Sequence, residues 1–464
     1  MALRVMAVAA GALPLAIVTA LAQQPNLGGA MTAAPADYAL TNVRIVVAPG
    51  KVIERGTVLT RDGRIAAVGA NVTIPAGVAR LDLTGHTVFP GLIDAATSIG
   101  LPSPTRVVAA TNPPAAAAAG RGGRGGAAAP GGGRGAGPGP SAPTPPVVEP
   151  ELDATAEAAD MFAPTADQLK AMRAGGVTTV GLVFNGGIFP GRVGAALTGT
   201  REGGHLALRA SSAQEVAFGV RKNAYPLYGL GTYAFIRQSY IDAQYEARLD
   251  KAMKAGTPGA RPTNDPFDRA LMAAATNEMP SWFVASNERE IQRVAEIAKE
   301  MGLKSPVIVG AREGYRNVAA LKASGASAVV SLEWPPVDSV TGHAFLLNGM
   351  GKSETAKVAD PAETAVKANA ATLVKAGVPV ALASLGGMSG ATFRDRVRAS
   401  IEAGMTPDEA LRATTVTPAA LLGITSTVGT IEVGKLANLV VVNGNDLFAS
   451  GTPITHVFVE GRLY

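Results

Sequence analysis

The sequence predicts an α/β chain built on parallel strands, preceded by a small all-β region. Three observations carry this. A unit of helix, glycine and valine-rich strand recurs: Thr165–Ala174 then Val177–Val183, Asn287–Met301 then Pro306–Val309, Asn317–Ser324 then Ala328–Leu332, Ala362–Ala376 then Val378–Ala383. Upstream, Ala39–Asp94 consists of short alternating segments separated by turn residues. Strand-like segments return at the far end, in Gly429–Val442 and His456–Leu463.

Taken in order, Val43–Val46 alternates, and Thr57–Arg61 and Arg64–Val68 flank Asp62-Gly63, a strong hairpin turn. Arg80–Leu83 alternates again. Phe89–Asp94 is an apolar run closed by an acid, the pattern of a buried strand. Residues 101–150 break the composition. Ala, Gly and Pro dominate Pro113–Pro146, with Arg-Gly-Gly repeats at 121–126, so residues 106–150 read as a disordered insertion that lacks the apolar surface to order itself. Beyond it, Asn287 and Glu290 have capping-box spacing with Gly302 as the stop. Thr406-Pro407 and Thr417-Pro418 each place an N-cap before a proline at the first helical position. Tyr233–Lys254 reads as one long helix.

Met1–Ala22 has the form of a secretory signal peptide: Arg4, an apolar Val5–Leu21, and the small-x-small Ala20-Leu21-Ala22 before Gln23. The chain has no cysteine, which excludes a disulfide framework and lipid attachment at cysteine. Export without disulfides fits a periplasmic or secreted protein, free of the membrane once the signal is cleaved. The net charge of +5 is concentrated in few places. Arg4 lies in the signal segment, and Arg121, Arg124 and Arg134 lie in a tract without acids. The remainder is nearly neutral, and the Arg-Gly-Gly repeats have no interleaved aromatics. These features argue against a nucleic-acid partner.

Two stretches carry a resemblance. Pro90-Gly91-Leu92-Ile93-Asp94 resembles the first barrel strand of the amidohydrolase superfamily, the metal-dependent hydrolases related to imidazolonepropionase, dihydroorotase and hydantoinase. The Gly-x-Ile-x-x-Gly-Lys-x-Ala-x-Leu run at Gly429–Leu439 resembles that family's C-terminal sandwich pattern. Ala243-Gln244-Tyr245 in the long helix resembles periplasmic imidazolonepropionase-like members. The resemblance implies a (β/α)8 TIM-like barrel over residues 89–424. It also implies a small β-sandwich composed of N- and C-terminal segments, 38–88 and 425–464.

It also implies where metal ligands belong, and those positions are degenerate. The family's His-x-His pair falls on Ala96 and Ser98, the next two histidines on Val284 and Gly310, and the late aspartate on Leu385. A catalytic zinc needs about three protein donors and an open position for water. The chain has four histidines, His86, His205, His343 and His456, and none is near these positions. Asp94, Asn185, Glu313 and Ser384 stand near expected strand ends and are the candidate ligand-binding residues, with Asp94 structural by default in the family. The expectation is an exported amidohydrolase relative that has lost its metal site and uses no cofactor. It would act as a binding or partner subunit, as a homo-oligomer or beside an intact amidohydrolase paralogue. The alternative is an active hydrolase of non-peptide C–N bonds with a divergent site, which would call for zinc. A third reading, an RGG-type nucleic-acid binder, rests on the insertion alone.

Overall fold

Two eight-stranded sheets organise the chain in the computed structural model, which describes residues 37–102, 152–184, 186–200, 206–219, 225–226, 229–334 and 361–464. The segment Met1–Ala22 read as a signal peptide and the 106–150 stretch read as an insertion lie outside the described residues. The first sheet begins with β1 (Tyr38–Ala48), β2 (Lys51–Arg61), β3 (Arg64–Gly69), β4 (Ala79–Asp82) and β5 (His86–Pro90). β1, β2 and β3 form an antiparallel meander, and β4 and β5 each lie parallel to β1. The expected hairpin turn is present, with Asp62 and Gly63 at φ 50° and 77°. Such a pair of left-handed residues matches the twist of the flanking strands.

β5 runs into β6 (Leu92–Thr97) through the single residue Gly91. All of β6 is buried, which is why its sequence is apolar without alternation. Helix α1 (Ala166–Ala174) starts at a capping box of Thr165 and Gln168 and stops at Gly175, and β7 (Val177–Leu182) follows. Here the structure departs from a strict β/α repeat. β8 (Gly191–Leu197) and β9 (Ala207–Ala217) follow as antiparallel neighbours. No helix intervenes among the described residues, and β8 runs against the other seven strands.

The alternation then resumes. α2 (Gly229–Lys254) and α3 (Pro266–Ala275) lead to β10 (Ser281–Ala285), and α4 (Glu288–Met301) leads to β11 (Val307–Gly310). α5 (Val318–Ala323) leads to β12 (Ser327–Ser331), and α6 (Pro361–Lys367) and α7 (Asn369–Lys375) lead to β13 (Val380–Ala383). The single helix expected over 362–376 is thus two, separated at Ala368. α4 carries its capping box at Asn287 and Glu290 and ends at Gly302, φ 66°. Strands β9 to β13 are all parallel.

The barrel closes where β6 meets the end of β13. Leu385 N donates to Ala96 O at 2.9 Å, and Thr97 pairs with Leu385 in a parallel bridge. Side chains alternate across the wall. Trp282, Val307, Val309, Val329, Ala381 and Ala383 fill the interior, while Phe283, Ile308, Ala328, Val330 and Leu382 face the helices. Outside, Phe189 meets both Phe235 and Phe267 edge to face, and Tyr240 stacks on Phe283 and donates to Ser281 Oγ at 2.8 Å.

After α8 (Gly390–Glu402), α9 (Pro407–Ala413) and α10 (Val416–Leu421), the chain returns to the first sheet as β14 (Leu439–Asn443), β15 (Ile454–Val459) and β16 (Arg462–Leu463). β14 pairs with β5, so both chain ends share one sheet, in the order β16-β15-β14-β5-β1-β2-β3. Two sequence expectations change. Thr415, not Thr417, precedes α10. Residues 429–438 are not strand, because Gly429 and Gly434 sit at φ 99° and 90°, outside the β region. That segment lies against the first sheet by single bonds such as Ile65 N to Lys435 O, 2.9 Å. Among the described residues no helix is long and apolar enough to cross a membrane.

Gly91 joins sheet to barrel at a close approach. A Cβ there would stand 2.1 Å from Thr178 Oγ1 and 2.8 Å from Thr178 Cβ. Gly91→Ala is therefore expected to lower unfolding free energy by about 1–3 kcal/mol through overpacking. Adding Thr178→Ala should recover part of the loss. Urea unfolding of the two variants checks this; a Gly91→Ala protein as stable as wild type would show that the junction is looser than described.

Candidate functional site

Active sites of such barrels lie at the C-terminal ends of the strands. All five positions that the resemblance assigns to metal ligands stand at or just beyond that end. Ala96 is on β6, Val284 on β10, Gly310 ends β11, and Leu385 follows β13. Ser98 follows β6. Ala96 is fully buried, whereas Ser98, Val284 and Leu385 are half-buried at the rim. Ala96, Val284 and Leu385 belong to one apolar cluster that fills the barrel interior.

Several of these groups are committed to the barrel seam. Ala96 O accepts from Leu385 N, and Ser98 Oγ donates to Leu385 O at 3.2 Å. Thr97 Oγ1 donates to Gly386 O at 3.1 Å. Leu385 itself has φ 54°, a left-handed conformation that is unusual for a leucine and that the seam imposes. Gly310 has φ 95°, and a Cβ there would come within 2.7 Å of Ser286 Oγ. No histidine fits at that residue without strain.

Of the candidate ligand-binding residues, the fold brings two together. Asp94 and Ser384 are both inaccessible to solvent. Ser384 N donates to Asp94 Oδ1 at 2.9 Å and Ser384 Oγ to Asp94 Oδ2 at 2.5 Å. Burial pushes the Asp94 carboxyl up to about 7, against the opposing effect of donors from Ser384 and the Ala96 backbone. A serine beside a carboxylate has the elements of a nucleophile, but this pair is sealed inside the seam. Glu313 is elsewhere: its Oε2 accepts from Glu288 N at 2.8 Å and so caps the N-terminus of α4. Asn185 lies outside the described residues, as do His205 and His343. His86 and His456 are in the first sheet, on β5 and β15. Among the described residues, no three His, Cys, Asp or Glu side chains are grouped to hold a metal.

One interior acid has no counterpart in the sequence reading. Glu215, on β9, is fully buried. Its Oε2 accepts from Phe184 N at 2.8 Å, and its Oε1 has no hydrogen-bond partner among the described residues. Burial pushes this carboxyl up to about 8. In the sequence it is a lone acid in Ser212–Phe218, which reads as an ordinary half-exposed strand.

The fold defines the class: an eight-stranded α/β barrel joined to a sheet built from both chain ends. The family model described as the amidohydrolase family matches residues 361–464. No curated protein matches the chain. Among solved structures, an amidohydrolase from Thermotoga maritima MSB8 is similar at 21% identity and a TM-score of 0.65, over 92% of this chain and 99% of that one. A prolidase complexed with N-methylphosphonate-L-proline is similar at 17% identity and TM-score 0.50, over 92% and 99%. Phenylurea hydrolase B is similar at 16% identity and TM-score 0.50, over 92% and 96%. At these identities the likeness is one of fold. The resemblance to the amidohydrolase superfamily is thus borne out by the family pattern in residues 361–464 and by a shared architecture.

The Asp94–Ser384 pair generates a prediction. Asp94→Asn would turn an amide N–H toward donors at Ser384, and Ser384→Ala would remove the shorter of the two bonds. Each is expected to cost about 1–3 kcal/mol of stability, with Asp94→Asn the worse. Thermal or urea denaturation of both variants tests this; unchanged stability in both would show that the pair does not hold the seam.

Proposed function

We propose that this chain is an exported, imidazolonepropionase-like amidohydrolase relative that works as a metal-free binding or partner subunit. The observation that carries this reading is the donor set at the barrel mouth. Ala96, Val284, Gly310 and Leu385 have no side-chain lone pairs to offer, and Ser98 spends its hydroxyl proton on Leu385 O. A zinc site built from thiolate, imidazole or carboxylate does not fit these residues. Apolar side chains there also remove the mutual repulsion of empty ligands, so the barrel needs no metal to fold. A homo-oligomer or an intact amidohydrolase paralogue is the partner this reading implies.

Metal analysis of the purified mature protein is the direct test. Zinc is expected well below one equivalent, with no chelator-sensitive hydrolysis of dihydroorotate-, hydantoin- or dipeptide-like substrates. Restoring only Ala96→His and Ser98→His is expected to give no activity, since the other donors remain absent. Near-stoichiometric zinc with turnover that EDTA abolishes would overturn the proposal and leave a divergent hydrolase of C–N bonds as the better reading.

Export rests on the leader-like Met1–Ala22. N-terminal sequencing of the protein recovered from outside the cytoplasm should begin at Gln23. A chain that retains Met1 would contradict simple cleavage and export.

A further inference from the structure

At the end of the barrel opposite its mouth, an open groove of about 460 Å³ runs between α1 and β15. The end of α1 leads into β7, so the groove stands by the N-terminal ends of the parallel strands. One wall is Lys170, Arg173 and Ala174 of α1; the other is Ile454 and Val457 of β15, with Tyr464. No Asp or Glu lines the groove. His456 lines it too, but burial lowers the pKa of that imidazole, so it adds no charge at neutral pH.

Arg173 carries the argument. It is more than nine-tenths buried. Its Nη1 donates to Thr198 O, and its guanidinium carbon lies 4.1 Å from the centre of the Tyr464 ring. Nε and Nη2 make no hydrogen bond among the described residues. Unlike the orphaned nitrogens of Arg192, Arg312 and Arg394, they are not sealed from solvent, so they open on the groove. An arginine is almost never buried to this degree without a countercharge. Here none is in place: no carboxylate of a described residue, that of Tyr464 included, is ion-paired with Arg173 or Lys170. The aromatic ring offsets only part of what a carboxylate or phosphate would supply.

The walls narrow the class of anion. Lys170 is exposed and three residues before Arg173, on the same side of α1, so its amine reaches the same occupant. The planar fork of arginine suits a carboxylate or a phosphate. α1 ends at Ala174, and the partial negative charge of a helix C-terminus penalises a dianion more than a monoanion. The facing wall is apolar: Val457 is buried, Ile454 is half-buried, and both belong with the interior cluster of the barrel. The Thr455 hydroxyl between them is spent on Val441 O at 3.3 Å. An aliphatic chain laid on this wall would cover apolar surface that water otherwise wets.

We infer that the groove between α1 and β15 binds a monoanion that joins a carboxylate to an aliphatic chain, with the carboxylate on Arg173 and Lys170 and the chain on Ile454 and Val457. The groove is at the opposite ends of the strands from Ala96, Val284, Gly310 and Leu385, so the inference does not depend on whether the barrel holds a metal.

The test titrates the full mature chain with octanoate by calorimetry, beside acetate (the head alone), octanol (the chain alone) and inorganic phosphate. Octanoate is expected to saturate a single site and to bind at least about ten-fold more tightly than each of the other three. Raising the salt from about 20 mM to about 0.5 M should weaken it. Lys170→Glu should bind octanoate at least about ten-fold more weakly with an unchanged melting temperature, because Lys170 is exposed. Arg173→Lys keeps the charge and loses the fork, and should weaken binding about as much. No saturable binding of octanoate by the folded wild type overturns the inference. So does octanol or phosphate binding as tightly as octanoate, or equal binding by wild type and either variant, which would put the ligand elsewhere on the chain. Arg173 also holds Thr198 and Tyr464, so if Arg173→Lys does not fold, Lys170→Glu decides.

Discussion

Closure of the eight-stranded sheet on itself is the constraint on which the rest of the molecule depends. The join between β6 and the end of β13 is not a continuous ladder. It is held by one backbone bond from Leu385 to Ala96, by Thr97 and Ser98 hydroxyls on the carbonyls of Gly386 and Leu385, and by Ser384 on the Asp94 carboxyl. A buried acid is costly unless it is hydrogen-bonded, and Asp94 receives donors from both sides of the join. The residues that resemble vacated ligand positions are in this way part of the wall. Ala96 and Leu385 present backbone groups to each other and apolar side chains to the interior.

The seam also determines how the chain ends meet. β5 continues into β6 through Gly91, and Gly91 N donates to Asn438 O at 2.8 Å, just before β14 begins. Fixing β6 in the barrel therefore fixes the strand on which β14 forms. The terminal Tyr464 strengthens the same junction from outside. Its ring lies 4.1 Å beneath the Arg173 guanidinium of α1, and its hydroxyl accepts from Thr200 N at 2.7 Å. Arg173 itself donates to Thr198 O at the end of β8. The first sheet has its own apolar core, from Leu40, Ile45 and Val88 to Leu439 and Phe458, but its strand order exists only because the barrel returns the chain to its start.

The reversed strand gives the barrel its unusual interior. Because β8 runs antiparallel, its first residue, Gly191, lies opposite Glu215 near the strand ends of the parallel neighbours. The place a side chain would take at Gly191 is filled instead by the Ala156 carbonyl and the Phe184 ring, which a Cβ there would meet at 2.4 and 2.5 Å, and the acid is shielded from water by the wall. This explains how an ionisable group remains inside a barrel lined with valine and alanine, and why burial rather than any neighbouring charge governs its proton.

Much of this was legible in the residues. Capping boxes at Thr165, Asn287 and Thr406, glycine stops at Gly175, Gly302 and Gly325, and the Asp62-Gly63 turn are local, so the sequence determines them without help from the rest of the chain. The apolar runs that become β6, β7 and β11 are buried on both faces and announce themselves by composition. β8 was not legible, since Gly-Arg-Val-Gly-Ala-Ala-Leu is small and aperiodic, and its direction depends on pairing with β7 and β9. Nor was Glu215, because a single acid between alanines reads as solvent-facing until a closed wall surrounds it. The sequence by itself determined the elements, the family resemblance and the want of metal-donor side chains at Ala96, Val284, Gly310 and Leu385, all of which follow from residue identity and short-range spacing. The tertiary structure alone decided the strand order, the burial of Asp94 against Ser384 and the isolation of Glu215 inside the barrel. Each of those requires residues distant in sequence to be brought within hydrogen-bonding distance, or water to be excluded by strands that only closure brings together.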